Sequence, residues 1–175
     1  MFKEERNELL FKWNMIGDVE EGRPNLGNTM DVSVYRLMQF TLRDVLIKEF
    51  NVKTANKIFF EAGKFAGKTF CKEFINKKNN LNDFIFELKE LLLKLSIGVL
   101  RVEKADTENQ IFTLTVSEDL DCSGLPITYE EICTYDEGFI SGIFGEYTGK
   151  DFNVKEVDCW ASGGRVCRFD VRPSE

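Results

Sequence analysis

Residues 152–172 read FNVKEVDCWASGGRVCRFDVR. Two runs with strand-type alternation, 152–159 and 165–172, flank a turn containing Ser162, Gly163 and Gly164. Apolar alternation broken by such residues predicts an antiparallel hairpin. The hairpin carries Cys159 at the end of one strand and Cys167 in its partner, so the fold-back brings two thiols toward each other. Glu156 lies three residues before Cys159. In a regular strand those two side chains point to opposite faces, so their convergence requires a bulge or bend near Asp158.

Upstream, Thr128 with Glu131 has the spacing of a capping box. A helix is predicted from Tyr129 to about Tyr147, with Gly149 as its stop. This helix carries Cys133 near its start and glycines at 138, 142 and 145. Cys133, Glu156, Cys159 and Cys167 together present three thiolates and a carboxylate, donors that suit a tetrahedral zinc. Arg165 and Arg168 flank Cys167 and are expected to offset its negative charge. The residues alone leave a second reading open, since free cysteine is among the most buried residue types.

The composition narrows the function. The chain has 175 residues, 43% hydrophobic, with a net charge of −7. This suits one domain with a real core, and the acidity disfavours nucleic acid. No run of 18 apolar residues predicts a membrane span, and the charged start does not resemble a secretory signal. We therefore expect a cytoplasmic protein whose five cysteines are thiols or metal ligands. Histidine is absent, which excludes imidazole-dependent triads and histidine-ligated zinc or haem. No paired carboxylates and no dinucleotide or flavin fingerprint point to catalysis.

Residues 1–30 read as a lead-in segment, and 31–175 as a single domain. Three helices are expected, over about 31–50, 54–76 and 81–95. The first has Asp31 as its cap and an apolar stripe of Val34, Leu37, Met38, Leu42, Val45 and Leu46. The second contains Gly63 and Gly67, four apart on one face. Glycine inside a helix costs about 1 kcal/mol relative to alanine, so a close backbone approach should offset it. Residues 97–103 and 111–116 form another hairpin. The predicted fold is α+β: N-terminal helices packed on an antiparallel sheet of two hairpins, with a glycine-spaced helix between the hairpins.

The stretches DCSGLP (121–126), CTYDEGFISGIFGEYTGKDF (133–152) and KEVDCWASGGRVCRFDV (155–171) resemble the C-terminal signature of the vinyl-4-reductase domain family. That family is similar in fold to TRAPP-complex subunits and to haem-type nitric-oxide sensor domains. It includes sensor domains of aromatic-responsive activators, in which zinc is held by cysteine, glutamate, cysteine and cysteine. The resemblance carries that pattern onto Cys133, Glu156, Cys159 and Cys167, with Cys122 outside it and Cys71 as core. A closed four-ligand zinc is structural.

The resemblance also implies a small hydrophobic or aromatic ligand between helices and sheet, with Phe59, Phe60, Phe84, Phe112, Tyr135, Phe139 and Trp160 as lining. Phenol sensors of the family orient the ligand hydroxyl with a histidine. This chain has none, and Tyr135, Tyr129 or Gln110 can substitute. The helical glycines and the dimerisation of relatives imply a homodimer. The expected function is a zinc-stabilised ligand-binding domain acting as sensor, carrier or accessory factor. The alternatives are an enzyme or enzyme-assisting factor in tetrapyrrole metabolism and a TRAPP-like interaction module.

Overall fold

The structure, a computed structural model, describes residues 8–77, 80–128 and 132–174. Five helices and four strands follow in the order α1 (Val19–Gly22), α2 (Val32–Glu49), α3 (Val52–Phe74), α4 (Leu81–Lys94), β1 (Val99–Asp106), β2 (Ile111–Ser117), α5 (Thr134–Thr148), β3 (Phe152–Asp158) and β4 (Cys167–Pro173). The α+β architecture read from the sequence is the one observed.

Side-chain caps fix the starts of the long helices. Asp31 accepts the Ser33 N–H at 2.8 Å, Asn51 that of Thr54 at 2.8 Å, and Asn80 that of Asp83 at 3.1 Å. Each satisfies a donor the first turn leaves free. The helix α5 starts at Thr134 with Cys133 at its N-cap, later than the spacing suggests. The Thr128–Glu131 capping box involves residues 129–131, Tyr129 among them, which lie outside the described residues. Gly149 ends the helix at φ 75°, a conformation that favours glycine.

The two hairpins join into one antiparallel sheet of order β1-β2-β4-β3. Phe112, Leu114 and Val116 of β2, Cys167, Phe169 and Val171 of β4, and Phe152, Val154 and Glu156 of β3 are the buried alternate positions. The opposite face is polar. There Arg168 pairs with Glu103 at 2.7 Å and with Asp158 at 2.6 Å. Its guanidinium is thus engaged across the sheet from the thiols, so it does not offset their charge as expected. The register of β3 against β4 shifts between Glu156 and Asp158, the irregularity that the Glu156–Cys159 spacing demands.

Helices α3 and α5 pack against each other through glycine. A Cβ on Gly63 or Gly67 would fall on the carbonyl oxygens of Tyr135 and Phe139, and one on Gly138 or Gly142 on those of Phe60 and Lys64. The helical glycines are therefore used within one chain, and they leave no backbone face for a second copy. Behind α5, the rings of Phe84, Phe112 and Phe152 surround Phe144 at 5.3–5.5 Å, and Tyr147 stacks on Phe84 at 3.8 Å.

The helix α2 is turned the other way from a core helix. Its domain-facing side carries Tyr35, Arg36 and Gln39, which bond to the 119–123 loop. Its apolar stripe faces outward, with Leu37 66% and Met38 63% exposed, and no residue of α2 is buried. No helix among the described residues is long and apolar enough to cross a membrane.

Candidate functional site

Four thiols meet where the 118–125 loop, the start of α5 and the second hairpin converge. Cys122, Cys133, Cys159 and Cys167 are each 0% exposed, and their sulfurs all lie within 4.8 Å of one another. Cys133 Sγ stands 3.7 Å from both Cys159 Sγ and Cys167 Sγ, and Cys122 Sγ stands 3.0 Å from Cys167 Sγ. All four are free thiols.

Local structure places each one. Cys122 follows a turn in which Asp119 Oδ1 accepts the N–H groups of Asp121 at 2.9 Å and Cys122 at 3.0 Å. Arg36 holds the same loop from α2, donating to the carbonyls of Leu120 at 2.8 Å and Ser123 at 2.9 Å. Cys159 leaves β3 into a single turn, Trp160–Ser162, and its carbonyl accepts the Gly164 N–H at 2.8 Å. Gly163 at φ 103° turns the chain back toward Cys167.

Glu156 lies beside this group rather than among its sulfurs. It is 1% exposed. Its Oε2 accepts the Cys133 N–H at 3.4 Å, while Oε1 has no hydrogen-bond partner among the described residues. Burial, then the Cys159 charge, pushes its carboxyl up to about 8. Further carboxylates stand nearby. Asp119 and Asp136 form with Cys133 a second set of donors within 4.8 Å, and Asp136 Oδ2 also lacks a partner. Burial and then the charge of Asp121 raise Asp119 to about 7. Asp121 is raised by burial, against hydrogen bonds from Tyr35 and Gln39 that favour its charged form.

Among the thiols, hydrogen bonds from Cys122, Cys133 and Cys167 pull Cys159 down, while Cys133 and Cys167 are pushed up. Without a cation the cluster favours one shared thiolate, on Cys159. Several buried acceptors and several acids in one water-free volume require positive charge or retained protons. Thiolate sulfurs on a tetrahedral zinc at about 2.3 Å lie about 3.8 Å apart. The 3.7 Å separations at Cys133 fit that spacing, so the residues present fit a zinc-like ion.

Three of the four metal-site residues expected from the sequence, Cys133, Cys159 and Cys167, therefore converge, with Glu156 adjacent. Cys122 joins them, and spacing did not single it out. Its only signal was being one more cysteine beside a Gly-Pro loop, because long-range bonds from Asp119 and Arg36 position it.

The expected ligand-lining residues are spread out. Phe84 and Phe112 are packed in the ring cluster of the core. Phe59 is buried beneath the Arg43 guanidinium, and Phe139 packs edge-on to Phe70 at 5.3 Å. Phe60 gives its carbonyl to the Gly138 contact. Trp160 Nε1–H donates to the Leu125 carbonyl at 3.1 Å. Tyr135 borders a cavity of about 740 Å³ on the outer side of α3, walled by Ile58, Ala62, Phe65 and Ala66 and roofed by Leu9 and Phe11. That is the size of a small-molecule site, mostly apolar with a few polar groups.

Residues 112–173 match the family model of the vinyl-4-reductase domain. An uncharacterised Methanocaldococcus jannaschii protein, MJ1642, is 28% identical over 147 residues, spanning 84% of this chain and 80% of that protein. Three solved structures are similar in fold. A vinyl-4-reductase family protein from Methanocaldococcus jannaschii matches 96% of this chain and 100% of its own, at 19% identity and TM-score 0.61. The phenol-responsive sensory domain of the transcription activator PoxR, bound to phenol, matches 82% and 75%, at 14% identity and TM-score 0.64. Trafficking protein particle complex subunit 3 from Naegleria fowleri, covalently bound to palmitic acid, matches 82% and 95%, at 12% identity and TM-score 0.66. The resemblance read from the sequence thus holds: residues 112–173 form a vinyl-4-reductase domain, and the chain around them carries the fold of a protein of that family.

Proposed function

We propose that this chain is a zinc-stabilised domain that binds a small hydrophobic or aromatic molecule and acts as a sensor or carrier. The convergence of buried free thiols from three separate segments carries the metal half of this reading. The metal links the second hairpin to the start of α5 and to the loop after β2. It serves as a structural staple, since a closed donor set leaves no position for water or substrate. Such thiols suit a reducing, cytoplasmic compartment.

The family match and the phenol-bound PoxR domain support the ligand half. The cavity bordered by Tyr135 is the site we assign, with the Tyr135 hydroxyl as an orienting group in place of a histidine. We further propose that two copies pair through the outward stripe of α2, with Val34, Leu37, Met38, Leu42 and Val45 against their equivalents. Five exposed apolar side chains on one helix face are otherwise unexplained.

Native mass spectrometry of protein purified under reducing conditions tests the whole reading. It should find one zinc per chain, two chains per particle, and a retained apolar molecule or one acquired on incubation with simple phenols and fatty acids. A metal-free monomer that takes up none of these contradicts it.

A further inference from the structure

We infer that Cys122, rather than Glu156, supplies the fourth ligand to the metal, which makes the centre an all-thiolate site. The inference rests on the reading that the cluster holds a metal, and goes beyond it by assigning the donor set.

The geometry favours sulfur. Cys122 belongs to the set of four donor atoms that lie within 4.8 Å of one another, and Glu156 belongs to neither of the donor sets among the described residues. The Cys122 thiol also approaches Cys167 Sγ to 3.0 Å. Uncharged thiols can tolerate that closeness, but two thiolates need a cation between them and a separation nearer the tetrahedral value of about 3.8 Å. Loading the site therefore moves Cys122 and Cys167 apart by well under an ångström each.

The loop is built for this role before any metal arrives. The Asp119 carboxylate holds the Cys122 N–H at 3.0 Å, and Arg36 donates to three carbonyls around it, those of Asp119, Leu120 and Ser123. Asp121, on the same loop, is held from α2 by Tyr35 at 2.8 Å and Gln39 at 2.7 Å. A ligand whose backbone is clamped from outside the site is preorganised in the way metal donors are.

Glu156 then has a different task. Its Oε2 accepts the Cys133 backbone N–H, which orients the N-cap residue and aims its thiol at the other three. Glu156 is a positioning residue. Its effect should be felt through Cys133 and not through a metal–oxygen bond. Four thiolates also set the metal class: soft, tetrahedral ions such as zinc, over ions that prefer oxygen ligands.

X-ray absorption at the zinc edge of the wild-type protein tests this without any substitution. We expect a single shell of four sulfurs at about 2.3 Å. A shell of three sulfurs and one oxygen overturns the inference while leaving the metal intact. Absence of bound zinc overturns the reading beneath it as well. Cobalt(II) loading supplies an independent arm. Cys122→Ser should lose about one quarter of the sulfur-to-cobalt charge-transfer absorbance and bind metal at least tenfold more weakly. Glu156→Gln should keep the full absorbance, because an amide oxygen still accepts the Cys133 N–H. Full absorbance in Cys122→Ser, together with an altered ligand-field band in Glu156→Gln, overturns the assignment.

Discussion

Cys122 Sγ and Cys167 Sγ stand 3.0 Å apart across 45 residues of sequence. That contact ties the loop after β2 to the first residue of β4, and it lies where three otherwise independent segments meet. The fold has few other links there: α2 reaches the same loop only through polar groups, and α5 begins at Cys133.

Removing one thiol should therefore loosen several segments at once. Cys159→Ser is expected to release metal and lower Tm sharply, since a structural metal contributes its binding energy to folding. Differential scanning calorimetry with metal analysis checks this, and an unchanged melt refutes the structural role. Chelation of the wild type should reproduce the effect.

The glycine contact between α3 and α5 should be as sensitive. Gly142→Ala puts a Cβ onto the Lys64 carbonyl oxygen, and the helices must separate to admit it. We expect a loss of about 2–3 kcal/mol, which for a chain of this size lowers Tm by roughly 5–10 °C. Gly124→Ala is a useful contrast, since its Cβ meets nothing but its φ of 87° is strained. It should cost about 1 kcal/mol. Equal melting of Gly142→Ala and wild type would contradict the packing.

The outward face of α2 predicts a separable effect. Leu37→Asp with Met38→Lys should yield monomers while leaving chain stability within about 1 kcal/mol, because exposed positions tolerate substitution. Analytical ultracentrifugation reads the outcome. A wild type that is already monomeric, or a variant that stays dimeric, removes this face from the interface.

Asp119 predicts a pH dependence. Its folded carboxyl is raised to about 7 by burial and then by the Asp121 charge, whereas an unfolded aspartate titrates near ~3.9. Between those values the folded state keeps a proton that the unfolded chain has lost. This group therefore lowers stability as pH rises from about 4 to about 7. Asp119→Asn removes the charge and retains the Oδ1 acceptor. The stability of the variant relative to wild type should rise across that window at fixed free zinc. A difference that stays constant with pH in urea melts contradicts the assignment.

Much of this was legible in the sequence because it depends on local chemistry. The second hairpin follows from alternation around Ser162–Gly164, and the need for a bend near Asp158 follows from placing Glu156 and Cys159 on one face. The observed register shift is that bend. The glycines of α3 and α5 announced a close approach, but not to what, since a four-residue spacing cannot tell a neighbouring helix from a second chain. The stripe of α2 has the same ambiguity. Its period is helical, yet only the tertiary bonds of Tyr35, Arg36 and Gln39 turn it outward. Cys122 was hidden for a related reason, because a loop residue has no periodicity and is placed by partners more than 80 residues away. The rings of Phe84 and Phe112 fill the core where a cavity was expected, because residue type sets apolar volume and not where the void is left.

The most direct measurement of the central claim is the zinc content of the intact protein, by native mass spectrometry set beside thiol alkylation. The account predicts one zinc per chain, with Cys122, Cys133, Cys159 and Cys167 protected until a chelator is added. Metal-free protein whose four thiols alkylate together on mild unfolding, with no change in Tm when zinc is supplied, would contradict it.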